Sequence, residues 1–276
     1  MKQASTLRTG AGKSHGLSSK TWLLKNLVSD GAADWGLSPQ VFLVLLSLPF
    51  VIAFTGVVAA LISKDLYKLF TQEDGIAESG QVFFYALALG LSLFVTRSYW
   101  RSGARLIACL YIGASLGLFF LIGEELSWGQ RIWGWGTAES LAAVNKQGET
   151  NLHNIYGVGA TFKWVQLLIG AYGTLLPLVF LRWSVPDRHR LRRLITALVP
   201  HYSLIPYFLL FFIWRMYRNF LEPPQKYYFA IAEYNEVLEL VLAMGFLLFM
   251  VFQIKRLKAG EVTSFSTTKS EKTGDG

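Results

Sequence analysis

The stretch from Val41 to Ile62 reads VFLVLLSLPFVIAFTGVVAALI and contains no charged residue. A helix needs about 20 consecutive apolar residues to cross the hydrocarbon core of a bilayer. Five further stretches of this kind follow along the chain, each flanked by polar or charged residues. We therefore predict an all-α fold, a polytopic membrane helix bundle of about six transmembrane helices, near residues 41–62, 76–96, 106–123, 160–181, 194–213 and 232–254.

The composition agrees with a membrane protein. Of the 276 residues, 53% are hydrophobic and only 16% are charged, and the mean hydropathy is +0.37. A soluble domain carries about a quarter of its residues as charged side chains. The single cysteine excludes a disulfide framework or a cysteine-rich metal site. The net charge of +8 comes from basic residues that flank the apolar stretches, so we predict membrane lipids and no nucleic acid as partners.

Basic residues alternate between the two sides of the predicted bundle and set its orientation. They concentrate in the arm before the first span, in the second and fourth connections and after the last span, as in cytoplasmic loops. We therefore predict a multi-pass protein of the bacterial cytoplasmic (inner) membrane with both termini in the cytoplasm. The basic residues of these connections are Arg97, Arg101, Arg105, Arg182, Arg188, Arg190, Arg192, Arg193, Lys255, Arg256 and Lys258.

Three regions are predicted along the chain. Residues 1–37 form a polar, basic cytoplasmic arm, in which the segment from Trp22 to Trp35 forms a short interfacial helix. Residues 38–256 form the transmembrane helical domain, and residues 257–276 form a disordered cytoplasmic tail.

Ionisable side chains of the helices are predicted to lie at one depth. A helix rises about 1.5 Å per residue, so Glu78, Glu124 and Lys163 each lie about 28 Å from a basic residue at the cytoplasmic end of their span. By the same rise, Glu236 lies about 27 Å and Glu239 about 22 Å up the last span. In a hydrocarbon core about 30 Å thick, these groups meet near the extracytoplasmic boundary. Ionisable residues inside a membrane mark a functional site.

The densest polar motif ends the third span and reads GEELSWGQRIWGW over residues 123–135. Successive helical residues point about 100° apart, so Glu124 and Glu125 cannot face the same way. We expect one of them to face the bundle and the other to face the loop or an arginine. Trp128 fits an interfacial aromatic belt or, alternatively, an apolar wall beside a headgroup or sugar.

A second motif, QGETNLHN, covers residues 147–154. Glu149 and His153 share one face if this segment is helical. His153 is the only histidine predicted on the acidic side of the bundle. It suits a catalytic or metal-ligating role, and the alternative is a solvated loop side chain. Before this motif, residues 137–144 are predicted to form a short amphipathic helix on the surface.

Two more acidic motifs lie on the same side. Residues 72–78 read QEDGIAE, in which Asp74 is placed to cap the second span. Capping does not explain Glu78, which is one turn further in and next to an apolar run. In the last span, Glu233, Glu236 and Glu239 recur every three residues and climb one side of the helix.

These residues divide into three candidate roles. Carboxylates and an imidazole exchange protons with water or a substrate, so the predicted catalytic residues are Glu124, Glu125, His153, Glu236 and Glu239. Oxygen-rich ligands with one histidine suit Mg, Mn or non-haem iron, so a divalent metal is the candidate cofactor, with the ligands Glu78, Glu125, His153, Glu236 and Glu239. The predicted substrate-binding residues are Trp128, Gln130, Arg131, Asn151, Asn154 and Arg215.

In this order, the motifs Glu-Asp-Gly-x-x-Glu, Gly-Glu-Glu-x-Ser-Trp-Gly-Gln-Arg, Gly-Glu-x-Asn-Leu-His-Asn and Asn-Glu-x-x-Glu resemble a group of uncharacterised bacterial multi-pass membrane proteins over roughly residues 40–255. The resemblance implies a membrane protein with a polar outer site and brings no activity with it. A weaker likeness is to the glutamate-dependent CAAX-type membrane proteases, whose acidic motif is Glu-Glu-x-x-x-Arg. Here five residues separate Glu125 from Arg131, and the later helices lack the required His pair.

Three functions stay open on the sequence. The first is a membrane-embedded enzyme acting on a lipid or lipid-linked substrate that enters from the bilayer. The second is an ion- or proton-coupled transporter in which Glu78, Glu236 and Glu239 bind a cation or relay protons. The third is a structural membrane-assembly protein, in which the glutamates are neutralised in ion pairs by Lys163, Arg131, Arg215 and Arg218.

Overall fold

The computed structural model describes residues 19–182 and 189–259. Within these ranges the protein is 82% helical and has no β-strand, which confirms the all-α fold class. The α-helices are α1 (Ser19–Trp35), α2 (Pro39–Ile62), α3 (Lys64–Thr71), α4 (Ile76–Arg101), α5 (Arg105–Glu125), α6 (Gln130–Trp133), α7 (Glu139–Ala142), α8 (Val158–Arg182), α9 (His189–Leu198), α10 (Ile205–Phe220) and α11 (Tyr228–Lys258).

Six helical segments are long and apolar enough to cross a membrane, as predicted for a multi-pass membrane protein. They correspond to the six predicted spans, although most are longer than predicted at one or both ends. The last helix, for example, continues to Lys258 and so includes the start of the predicted tail. The segments are Pro39–Ile62, Lys64–Arg101, Arg105–Glu125, Val158–Leu181, Leu191–Phe220 and Gln225–Lys258.

The fifth predicted span is not one continuous helix. Helix α9 ends at Leu198 and α10 begins at Ile205, so the predicted helix over 194–213 is wrong in its middle. Pro200 explains the break, because proline lacks an N–H and disfavours helical geometry in the residue before it. Pro206 then lies in the first turn of α10, where its missing N–H costs nothing.

Side chains from α5 and α11 satisfy carbonyl groups that this break exposes. The Tyr111 hydroxyl donates to the Ala197 carbonyl at 2.6 Å. The Thr196 carbonyl accepts from Arg256 Nη1 at 2.5 Å and from Gln253 Nε2 at 3.3 Å. An unpaired carbonyl inside a membrane costs several kcal/mol, so these donors make the broken helix tolerable.

Helix α11 is the central helix of the unit formed by residues 46–276. It packs against α3, α4 and α10, while α5 packs on α4 and α8 packs on α10. About two thirds (67%) of the residues in its apolar stretch are buried, the largest share among the six spans. The α10 side chain Phe208 lies against Gly173 of α8 and Gly245 of α11, and small residues of this kind let membrane helices approach closely.

The chain divides into two compact units, Met1–Leu45 and Leu46–Gly276. In the first unit, a helix is present where the interfacial helix was predicted, and it ends at Trp35 before Gly36, whose φ is 62°. The Ser38 hydroxyl accepts from the Val41 N–H at 3.4 Å at the start of α2. Residues 1–18 of the predicted arm, 260–276 of the predicted tail, and Arg188 of the fourth connection lie outside the described residues.

Candidate functional site

A polar cavity of about 820 Å³ lies at one end of the larger unit. It is lined by α3, α4, α5, α8, α10, α11 and the loop over residues 146–159. The prediction that separate helices bring their charges together is therefore confirmed. The predicted ionisable residues that line the cavity are Glu78, Glu124, Glu125, Arg131, His153, Lys163, Arg215, Arg218, Glu233, Glu236 and Glu239.

Glu124 anchors the loop that closes this end of the bundle. Its side chain is 3% exposed, and one oxygen accepts from the backbone N–H groups of Leu152 and His153, both at 2.8 Å. The other oxygen accepts from Trp128 Nε1 at 2.7 Å. All of these donors are protein groups, so Glu124 holds the loop in position, and its catalytic role stays a prediction.

The loop itself is not helical, which corrects the conditional prediction that Glu149 and His153 share a helical face. Asn145 organises it: its side-chain amide donates to the Asn151 carbonyl at 2.9 Å, and its side-chain oxygen accepts from the Gln147 N–H at 2.9 Å. Only the segment from Glu139 to Ala142 is helical where a helix over 137–144 was predicted. Hydrogen bonds from an Asn side chain to the backbone compete with helix formation, so the bonds of Asn145 explain why the segment that follows it is not helical.

His153 lies beside Glu124 at the edge of the cavity. Its Nδ1 is 3.2 Å from a Glu124 oxygen, and 39% of its side chain is exposed. Its ring meets Phe162 of α8 edge-on, with the ring centroids 6.4 Å apart. When Nδ1 carries the proton, it donates to Glu124 and leaves Nε2 as the proton acceptor. The contact with Glu124 therefore orients the imidazole.

Arg131 connects two acidic segments, the start of α4 and the loop that contains Glu149. Its guanidinium pairs with Glu78 at the start of α4 and with Glu149 of the loop at 3.2 Å, and it lies 3.4 Å from Asp74. Burial works to lower the pKa of Arg131, but the charges of Glu78 and Glu149 prevail and raise its pKa above the ordinary value. Arg131 is therefore a fixed cation that links loop and bundle.

Asp74 does not cap α4 with its side chain, contrary to the prediction. The N-cap residue is Gly75, which has no side chain to accept a hydrogen bond. Glu78 instead reaches back and accepts from the Asp74 backbone N–H at 2.5 Å. A carboxylate three residues after the N-cap commonly serves the free N–H groups of a helix start in this way. This contact and Arg131 together account for Glu78.

A second polar group lies deeper, around Glu239. One of its oxygens accepts from Gln166 Nε2 at 2.5 Å and from Asn235 Nδ2 at 2.6 Å, and Arg215 Nη2 is 3.5 Å away. Arg215 Nη2 also donates to the Asn235 side-chain oxygen at 2.5 Å. The buried carboxylate of α11 is thus paired with the cation of α10, as the structural alternative predicts for these two residues.

Glu125 and Glu236 differ from these paired acids. Neither forms an ion pair with a described Lys, Arg or His, and Glu125 accepts no hydrogen bond from the described part of the chain. Glu236 accepts from Gln81 Nε2 at 3.1 Å. The two carboxylates repel each other electrostatically, and both are repelled by Glu239. The adjacent acids at the end of α5 therefore face different ways, as predicted, with Glu124 on the loop and Glu125 on the cavity.

The predicted metal-binding residues do not assemble a metal site. Over residues 19–182 and 189–259, no group of three or more His, Cys, Asp and Glu side chains has an arrangement that fits a metal ion. Three of the predicted ligands have other partners: Glu78 pairs with Arg131, Glu239 pairs with Arg215, and the imidazole of His153 contacts Glu124 rather than Glu125. The donors present do not fit the divalent metal that the sequence suggested, so no step below passes through one.

Four of the six predicted substrate-binding residues line the cavity, and two do not. Arg131, Asn151, Asn154 and Arg215 face it. Trp128 instead donates to Glu124 and packs on Phe119 and Phe120, with ring centroids 6.1 and 5.8 Å apart. Gln130 uses its side-chain oxygen to accept from the Thr150 N–H at 2.8 Å. Both side chains shape the loop.

Sequence reasoning missed the uncharged partners of the acids. Gln81 is three residues after Glu78, Gln166 is three after Lys163, and Asn235 is four before Glu239. Each is an amide in an otherwise apolar span, at a spacing that places it near a charge on the same helix face. That spacing was the available signal for them.

Comparisons of this chain with protein-family models, with curated proteins and with solved structures give no match.

Proposed function

We propose that this protein is a membrane-embedded enzyme that acts on the polar end of a lipid or lipid-linked substrate. The observation that carries the proposal is that Glu125 and Glu236 line the same cavity as a Glu124-oriented His153, with neither carboxylate in an ion pair among the described residues. Ionisable side chains within the membrane are energetically costly unless they are paired or face a polar cavity. Acids in the cavity that lack a paired cation are therefore candidates for a functional role.

The geometry supports acid–base chemistry at these side chains. Glu125 has no hydrogen-bonded partner in the described chain and lines the cavity, so its carboxyl group is available to exchange a proton with water or with an acceptor hydroxyl. His153, turned by Glu124, presents Nε2 and can return a proton to the leaving group. The reaction class is therefore hydrolysis or transfer at a headgroup linkage, in which the attacking oxygen loses a proton and the leaving oxygen gains one.

The location of the cavity supports a substrate from the bilayer. Exposed aromatic side chains surround this end of the helices, and such residues are typical of the boundary between membrane and water. The basic clusters lie at the other ends of the same helices, in the α4–α5 turn, in α9 and at the end of α11. We accordingly propose that the cavity opens to the extracytoplasmic side of a bacterial cytoplasmic membrane.

The resemblance to a bacterial group that shares these motifs is part of the proposal. All four motifs contribute residues to the cavity, through Glu78, Glu124, Glu125, His153, Glu236 and Glu239. Proteins that share the motifs would share this site and the reaction proposed for it.

The proposal is tested by following lipids over time. The purified protein is placed in nanodiscs that contain a total lipid extract of bacterial inner membrane, and mass spectrometry records which lipid decreases and which product appears. We expect Glu125→Gln to lower turnover by at least about 100-fold, a typical contribution of general acid–base catalysis. We expect His153→Gln and Glu236→Gln to lower it as well.

Glu139→Gln is the matched control, because Glu139 is an exposed acid at the start of α7 that does not line the cavity. It should turn over lipid at the wild-type rate. Folded yield of every variant is checked by size-exclusion chromatography. If wild type changes no lipid, or if the Glu125→Gln protein is folded and as active as wild type, the proposed function is wrong.

A further inference from the structure

Three cations from α8 and α10 line the cavity together with the acids of α4, α5 and α11. Lys163 of α8 and Arg215 and Arg218 of α10 line it, and we call these three residues the basic wall. Asn219, the neighbour of Arg218 in α10, donates to the Lys163 backbone carbonyl at 3.2 Å, so this part of α8 lies against α10 and brings Lys163 near the two arginines. Like charges gathered beside a membrane interior are unfavourable without a counter-ion.

The protein does not supply that counter-ion in full. Lys163 and Arg218 form no ion pair with any described acid, although several glutamates line the same cavity. The structural alternative predicted that both would neutralise the glutamates, and for these two residues it is wrong. The Arg218 guanidinium lies over the ring of Tyr228, with its carbon 5.7 Å from the ring centroid.

Arg215 has hydrogen-bond donors that no described residue uses. A guanidinium carries five N–H groups on three nitrogens, and among the described residues only Nη2 of Arg215 donates, to Asn235 and Glu239. The side chain is 5% exposed, and its buried Nε has no hydrogen-bond partner among the described residues. Buried donors are almost always satisfied in folded proteins, so an unsatisfied one at a cavity points to a missing acceptor.

We infer that the basic wall is a subsite for a phosphate group, carried by the lipid or lipid-linked substrate. Phosphate offers several charged oxygens to an ammonium and two guanidinium groups, and Arg recognises it with paired hydrogen bonds. The wall is also at headgroup depth, because Lys163 lies about 28 Å along α8 from its cytoplasmic end. This inference rests on the proposed function, since it names the substrate class for the same cavity.

The arrangement places the phosphate against α8 and α10 and leaves the linkage beside it exposed to the acids of α5 and α11. Glu125 would then face the bond next to the phosphate rather than the phosphate charge itself. The basic wall therefore binds and orients the substrate, while the carboxylates of α5 and α11 exchange protons.

The test is a binding measurement that needs no turnover. Native mass spectrometry of the detergent-purified protein records retention of three probes: phosphatidic acid, diacylglycerol with the same acyl chains, and inorganic phosphate. We expect wild type to bind phosphatidic acid at least about tenfold more tightly than diacylglycerol. The double variant Lys163→Gln/Arg218→Gln should lose this preference, and Lys163→Arg should keep it.

Lys226→Gln is the matched control, because it removes one cation from the same end of the bundle but does not line the cavity. It should bind like wild type. Retention of phosphatidic acid assigns the subsite to a lipid headgroup, and retention of inorganic phosphate alone assigns it to a soluble phosphate compound. The subsite is refuted if the folded double variant binds both phosphate probes as wild type does, or if diacylglycerol binds as tightly as phosphatidic acid.

The two proposals fail separately. If the phosphate preference is present and depends on the basic wall but no lipid is consumed, the subsite stands and the enzyme does not. If a lipid without phosphate is consumed and Glu125→Gln stops the reaction, the enzyme stands and the subsite does not.

Discussion

At the scale of single residues, the glutamates of this cavity differ by their partners rather than by their position in the sequence. Glu124 and Glu125 are neighbours, yet one accepts hydrogen bonds from four donors and the other accepts none from the described chain. Because a buried carboxylate needs donors or a cation, its partners show whether it supports the fold or is available to a substrate.

Glu124→Gln should destabilise the protein. Leu152, His153 and Trp128 all donate to this side chain, and a glutamine would present an amide N–H₂ to at least one of them. A lost acceptor for a buried donor costs about 1–3 kcal/mol. Thermal unfolding in detergent measures the loss, with Glu139→Gln as the control at an exposed acid of α7. A Glu124→Gln protein that melts with wild type would show that the loop is held by other contacts.

Arg131→Gln should cost about 3 kcal/mol or more, because it leaves Glu78 and Glu149 without their shared cation. Adding Glu78→Gln to this variant removes one of the stranded charges and should recover part of the stability. The double-mutant cycle, measured by thermal unfolding, gives the coupling between the two residues. Additive losses would mean that the Arg131–Glu78 pair contributes no coupling.

At the scale of helices, glycine decides how closely α8, α10 and α11 approach. A Cβ added at Gly173 would overlap the ring of Phe208, whereas Gly113 of α5 has nothing near its Cβ position. Both glycines lie inside membrane-spanning helices, so they form a matched pair that differs in packing alone.

Gly173→Ala should therefore destabilise the bundle by about 1–3 kcal/mol, because α8 and α10 must move apart or Phe208 must leave its rotamer. Gly113→Ala should be neutral or stabilise by up to about 1 kcal/mol, since alanine is the better helix former. Unfolding of the two variants in the same detergent makes the comparison. Equal melting temperatures would contradict the close α8–α10 packing.

The broken fifth span belongs to the same scale. Pro200 interrupts the helix, but the interruption is stable only because Tyr111, Gln253 and Arg256 donate to the carbonyls at the end of α9. The proline could be read in the sequence, whereas its donors come from α5 and α11, far away along the chain. Local propensity therefore shows that the helix can break at Pro200, but the tertiary contacts decide that it does.

At the scale of the whole molecule, the distribution of basic residues predicts which end of the bundle faces the cytoplasm. The test uses the single native cysteine: in a Cys109→Ser background, Glu139→Cys and Arg101→Cys are introduced separately. A membrane-impermeant maleimide added to intact cells should label Glu139→Cys, and it should label Arg101→Cys only after the membrane is permeabilised. The opposite pattern would place the cavity in the cytoplasm and contradict the proposed orientation.

Much of this architecture could be predicted from residue order. Apolar length determined the six spans, and the constant rise of a helix determined that charges from α4, α5, α8, α10 and α11 meet at one depth. Both properties are local: they depend on composition and on the geometry of one helix at a time, so no knowledge of neighbours was needed.

The pairing of those charges was decided only by the tertiary structure. Depth does not say which way a side chain points around its helix, nor how a loop such as residues 143–157 folds back, because both depend on contacts between distant segments. In the folded protein, Arg131 pairs with Glu78 and Glu149, Arg215 pairs with Glu239, and His153 contacts Glu124. Glu125, Glu236, Lys163 and Arg218 line the cavity without an ion pair among the described residues, because the arginine ion pairs at this cavity join Arg131 and Arg215 to Glu78, Glu149 and Glu239 instead.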